Sequence, residues 1–240
     1  MEQNTLISPI ITASAAFTGA VIAQVISHWF SVRRELKKER KTIYQNYFAP
    51  IVPELFLYID SMTHFYGGNK KVNVNEEEFK THIIDHISKN LRYASPRVLS
   101  LFNSVNKYKY MDDLSGFNKE IQELELLLGV LDEYYHLAKE SKILEKKELG
   151  QILSYRVNYL FWLCVLNYCQ WPKKSVCITA YKWLLDDTKY NEDLLKTIRN
   201  LTNAEKWTDA LNYFVKLTKS EKESLELKEV IFERFKDMKH

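Results

Sequence analysis

Two clusters of residues in this chain have types and spacings that chemistry uses. His82, Asp85 and His86 fall close together. On a helix, residues four apart lie one above the other, so two imidazoles and a carboxylate can face one divalent metal. Glu78 lies one turn earlier on the same face. The same residues also fit a solvated polar face, with Ile83 and Ile84 turned inward. Arg234 and His240 bring a guanidinium and an imidazole together at the other end of the chain. The segment Asn106-Lys107-Tyr108-Lys109-Tyr110 alternates cations with aromatic rings, as binders of single-stranded nucleic acid do. It also reads as a solvated loop whose tyrosines fold back on the domain.

Other chemistry is missing from the sequence. Cys164, Cys169 and Cys177 lie in one apolar region, are odd in number and have no CxxC spacing, which points to reduced core residues. There is no phosphate-cradling glycine loop, no GxSxG elbow and no paired-cysteine metal site. The expectation is a chain without a cofactor and without a catalytic site of a familiar kind.

The elements around these residues begin with an apolar run. From Leu6 to Phe30 the chain has 25 residues without Asp, Glu, Lys or Arg. At about 1.5 Å per residue a helix of that length crosses a hydrocarbon core about 30 Å thick. The residues ahead of it carry an acid and no base, unlike a cleaved signal peptide. Behind it stand Arg33, Arg34, Lys37, Lys38, Arg40 and Lys41. Cations flanking one end set orientation, here with the N-terminus outside and the long C-terminal part in the cytosol. They also suit contact with an anionic membrane surface. Ala15, Gly19 and Ala23 recur every four residues, with Ala16 and Ala20 in a parallel row, and small faces of this kind let spanning helices approach closely. The other reading of these small residues is that they merely tolerate lipid.

The remainder reads as helices. Tyr44, Phe48, Ile51, Leu55, Tyr58 and Met62 form one apolar stripe, interrupted at Ala49-Pro50 and Pro53. Gly67 to Lys71 is a loop. Asn75 with Glu78 and Ser95 with Pro96 are start signals for helices, and Asn106 to Phe117 reads as irregular. Ile121 to Ala138 carries helical spacing, and Val157 to Trp171 is apolar all round and reads as the central helix. An amphipathic helix follows Trp171-Pro172 through Leu185. Asn191, Asn203 and Ser220 with Glu223 are the remaining cap signals.

Composition agrees with helices throughout. The chain has 240 residues, 46% hydrophobic and 27% charged, with only 6 Gly and 5 Pro, so the turn vocabulary of sandwiches and barrels is sparse. Net charge is +3 and much of the excess sits beside the apolar run, so a general nucleic-acid footprint is not indicated. The expected fold is all-α, with an N-terminal transmembrane helix followed by a multi-helix cytosolic bundle. Its parts are an anchor over 1–30, a basic amphipathic juxtamembrane helix with a proline kink over 31–66, and the bundle over 67–240.

Several resemblances attach to these residues. His82-Ile-Ile-Asp85-His86 resembles the HxxEH of inverted zinc peptidases, with Asp in place of the catalytic Glu. The Arg234 to His240 spacing is similar to the R-x(4–6)-H of HEPN ribonucleases, which implies that the pair acts on a scissile phosphate. Trp207 with Ala210, Leu211 and Phe214 resembles one helix of a tetratricopeptide unit, without a second copy. The order of parts resembles small single-pass membrane proteins of Gram-positive bacteria, prophages and mobile elements, and membrane-anchored helical effectors of antiviral loci. The function expected is a non-enzymatic interaction and oligomerisation module at the cytoplasmic membrane. Its partners are lipid, copies of itself and an unidentified protein. The alternatives are an oligomeric effector that permeabilises the bilayer in phage defence, and a HEPN-like ribonuclease or metal-dependent hydrolase.

Overall fold

The computed structural model describes residues 4–63 and 75–234, with side chains from Ala16 onward. The chain divides into two units, Met1–Ile43 and Tyr44–His240.

The first unit is one helix, α1 (Asn4–Ile43). The expected span falls inside it. Among the described residues no helix is long and apolar enough to cross a membrane, and residues 6–15 of the apolar run lie outside those whose side chains are described. From Ala16 to Phe30 every side chain is exposed. With 3.6 residues per turn, Phe17, Val21, Val25 and Trp29 share one side while Ala16, Ala20 and Ala23 gather on the other. The Arg33 guanidinium lies over the Trp29 ring, 3.7 Å from its centroid.

The second unit is all-helical among its described residues. It opens with a π-helical turn, Tyr44–Phe48, and a bend at Ala49-Pro50, where proline has no N–H to continue the ladder. Next come α2 (Val52–Met62), α3 (Glu76–Lys89), α4 (Pro96–Asn106), α5 (Asn118–Ser141) and α6 (Lys146–Cys169). The chain continues through α7 (Pro172–Thr179), α8 (Glu192–Asn203), α9 (Trp207–Val215) and α10 (Glu221–Glu229), and a second π-helical turn spans Val230–Arg234. The expected loop Gly67 to Lys71 lies outside the described residues.

α6 is the centre of this unit because its middle has no polar face. Val157 and Tyr159 to Leu166 are all buried, so the helix needs neighbours on every side, and it has them in α2, α5, α7 and α9. Each large side chain buried this way contributes about 1.5–3 kcal/mol. The Tyr44 to Met62 stripe belongs to the same core, with Tyr47, Phe48, Ile51, Leu55 and Tyr58 buried. Tyr159 Oη donates to the Leu55 carbonyl at 2.7 Å, and Trp162 Nε1 donates to Ser175 Oγ at 3.1 Å. The polar tips of two core aromatics thereby fix α2 and α7 against α6. Lys182 Nζ donates to the Ile59 carbonyl, Asp60 Oδ1 and Thr63 Oγ1, which places a cation on the negative end of α2.

Three helix starts lie where the expected caps put them. Ser95 Oγ accepts from Val98 N–H at 3.3 Å, Asn191 Oδ1 from Leu194 N–H at 2.8 Å, and Ser220 Oγ from Glu223 N–H at 3.3 Å. Asn203 is different: it is the last residue of α8, and Lys206 precedes α9. The helix expected after Pro172 stops at Thr179 and becomes a 3₁₀ turn, Ala180–Leu184, from which Lys182 reaches α2. α5 and α4 meet at Gly129, where an added Cβ would stand 2.6 Å from Leu101 Cδ1. A larger residue there would force the Leu101 side chain to shift.

Candidate functional site

The two clusters legible in the sequence are built differently from a metal or nuclease centre. His82, exposed on α3, places Nδ1 2.6 Å from Glu54 Oε2 of α2. His86 Nε2 stands 3.0 Å from the Tyr47 carbonyl, a contact that requires the proton on that nitrogen. Asp85 is exposed. Each imidazole thus has its own partner, one on α2 and one in the turn before it, and among the described residues no group of three or more His, Cys, Asp or Glu side chains could hold a metal ion. Arg234 donates to Glu229 Oε1 at 3.1 Å and to Tyr181 Oη at 2.9 Å. His240 lies outside the described residues.

The remaining sequence candidates have these positions. Lys107 Nζ sits 4.9 Å from the Tyr108 ring, in the 3₁₀ turn Lys107–Lys109, and Tyr110 is exposed. Of the three free cysteines only Cys164 is buried, which pushes its thiol pKa up; Cys169 is half-buried and Cys177 exposed. On α1, Gly19 and Ala23 are exposed, and the side chain of Ala15 lies outside the described residues. Arg33, Arg34, Lys37, Lys38 and Lys41 are exposed, and Arg40 is half-covered.

The densest charge cluster among the described residues of the second unit is one that no local spacing announces. Asp132 of α5 and Arg156 of α6 are each only 2% exposed, and Arg156 Nε donates to Asp132 Oδ1 at 2.8 Å. Arg156 also pairs with Glu192 at the start of α8, and its guanidinium lies 4.3 Å from the Tyr135 ring centroid. Arg199 of α8 pairs with the other Asp132 oxygen. Arg97, in the first turn of α4, stands 3.3 Å from that same oxygen and is 58% exposed. Four helices are therefore tied to one carboxylate.

Charge within this cluster does not balance. Three guanidinium groups face two paired carboxylates, Asp132 and Glu192. The neighbouring acids have raised pKa values. Burial pushes Glu133 up to about 7, against the pull of the Ser95 N–H and of Arg97, with Asp132 adding to the rise. Burial also raises Glu125, opposed by Arg97.

A cleft of about 450 Å³ opens on Arg97 and Arg199. Leu101, Leu128, Leu160 and Leu163 form its apolar lining, and Glu125, Thr202, Asn203 and Trp207 complete it. This is a volume at which small-molecule sites occur, and its lining mixes apolar side chains with polar ones in about equal number. A second buried pair, Lys80 Nζ to Glu123 Oε2 at 2.8 Å, lies between α3 and α5 and borders a smaller space of about 130 Å³.

Comparison with protein-family models, with curated proteins and with solved structures finds no match for this chain.

Proposed function

We propose that this chain is a membrane-anchored helical interaction module, with α1 as a single spanning anchor and the second unit on the cytosolic side. The observation that carries this reading is the outward display of apolar side chains by α1. Phe17 is 73% exposed, Val25 64% and Trp29 49%, and Val21, Ile22, Ile26 and Phe30 are exposed with them. In water such a surface is unfavourable; in hydrocarbon each large side chain recovers about 1.5–3 kcal/mol. The sequence continues the apolar character back to Leu6 without an acidic or basic residue. Trp29 with Arg33 over its ring suits the boundary between hydrocarbon and headgroups, where aromatic and cationic side chains anchor spanning helices.

The charges beyond that boundary support the orientation. Six cations follow Phe30 within three helical turns, and by helical geometry they share one side of α1, with Val32 and Leu36 on the other. The small-residue side, Ala16, Gly19, Ala20 and Ala23, supports self-association of the anchor. On the second unit, the loop after α4 exposes Tyr110, Met111 and Leu114, an apolar tip suited to a protein partner. The histidines of α3 are bonded to structural partners, which favours a binding role over hydrolysis.

Protease treatment of intact and lysed spheroplasts tests the topology. The second unit is degraded only after lysis if it is cytosolic; digestion in intact spheroplasts refutes the orientation.

A further inference from the structure

Arg97 is the surplus cation of the Asp132 cluster. Both oxygens of Asp132 are already engaged, Oδ1 by Arg156 and Oδ2 by Arg199, so the buried carboxylate is satisfied without it. Arg97 is the most exposed of the three arginines, its contact with Asp132 is the longest, at 3.3 Å, and it borders the cleft. A guanidinium has five N–H donors in a fixed fork. Among the described residues the Arg97 side chain makes no hydrogen bond beyond its ion-pair contact with Asp132, so most of that fork is available to a second anion.

The rest of the cleft complements an anion with an apolar body. Arg199, and Trp207 at the start of α9, line the same cleft beside the leucine side chains. The Asn203 side chain and the Trp207 indole N–H make no hydrogen bond among the described residues. They are free to read the edge of a planar molecule. Glu125 stands in the same space, where burial raises its pKa and Arg97 opposes the rise.

We propose that this cleft binds one small organic anion, a phosphate or carboxylate carried on a planar apolar body. The acidic group pairs with Arg97 and Arg199, and the planar body lies between Trp207 and the leucine side chains. Binding completes the charge balance that Asp132 and Glu192 leave open, and it bridges α4 to α8 and α9. Occupancy of the cleft therefore bears on how these helices are held together.

Titration calorimetry of the full chain in mild detergent tests this with adenosine monophosphate, indole-3-acetate and inorganic phosphate as probes. At least one of the two organic anions is expected to bind, with one molecule per chain. Which of them binds tells a phosphate head from a carboxylate. Arg97→Gln removes a charge-assisted contact, and Trp207→Leu the stacking face. Each is expected to weaken binding about tenfold, while Arg92→Gln, on an arginine outside the cleft, leaves it unchanged. Thermal unfolding of each variant reports whether it is folded, and if one is not, the other alone decides. The proposal is overturned if neither organic anion binds up to millimolar concentration, or if the folded cleft variants bind like the parent. It is also overturned if inorganic phosphate alone binds as tightly, or if Arg92→Gln weakens binding to the same extent.

Discussion

Asp132 and Arg156 face each other across the α5–α6 contact with both side chains 2% exposed, joined by a 2.8 Å hydrogen bond from Nε to Oδ1. Taking two charges out of water is expensive, and attraction between them offsets that cost only when geometry and further hydrogen bonds are good. Here the further partners are Glu192 and Arg199, both from α8. The consequence is specificity of packing: α8 has one register in which its first residue and its Arg199 reach the same buried pair.

Removing one member of that pair is therefore costly. Asp132→Asn leaves the Arg156 charge buried with half its compensation, and a loss of about 3–5 kcal/mol is expected in urea unfolding. The double variant Asp132→Leu/Arg156→Met removes both charges and is expected to be more stable than the sum of the single losses implies, by about 2 kcal/mol in a double-mutant cycle. Strict additivity would contradict the pairing.

Glu133 gives the second unit a pH dependence. Its carboxyl is raised from an ordinary value of 4.5 to about 7, chiefly by burial, so between those limits the folded chain holds a proton that the unfolded chain has released. Stability from this group is present below pH about 4.5 and is lost as pH rises through about 7. Glu133→Gln keeps an acceptor for the Ser95 N–H and cannot ionise. The variant is expected to unfold at higher temperature than the parent at pH 8 and to match it at pH 4.5. A parent stability that does not fall across this window would contradict the assignment.

Much of the helical layout was legible from single residues, while the charge cluster was not. Ser95, Asn191 and Ser220 announce helix starts because a short side-chain oxygen can reach the first free N–H groups. The start of α6 was missed because its cap is Glu145, outside the usual set, although it forms a reciprocal capping box with Glu148. Asn203 misled because the same side chain that caps a helix also suits the end of one. His82 and Asp85 lie on the exposed side of α3, as a solvated polar face would, while Ile83 and Ile87 turn inward, and Glu54 and the Tyr47 carbonyl supply partners to the two histidines. Arg97, Asp132, Arg156 and Arg199 come from four helices, so no spacing links them. The available signal was a charge where the helical period places core, Asp132 among the leucines of α5 and Arg156 at the edge of the apolar run of α6.

Gly19 tests the small-residue side of α1. A Cβ there meets nothing within 4 Å, so Gly19→Ile leaves the helix itself intact. A branched side chain on this face holds a second helix away. Sedimentation in detergent is expected to show self-association weakened roughly tenfold, about 1.4 kcal/mol. Unchanged association would move the contact elsewhere.

The anchoring of α1 is tested most directly by washing membranes from cells that express the full chain with alkaline sodium carbonate, which strips peripheral proteins and leaves spanning ones. The chain is expected to stay in the membrane pellet, and a Val21→Arg/Val25→Arg variant, with two charges in the apolar run, to move to the supernatant. Release of the parent chain by the wash would contradict a spanning anchor.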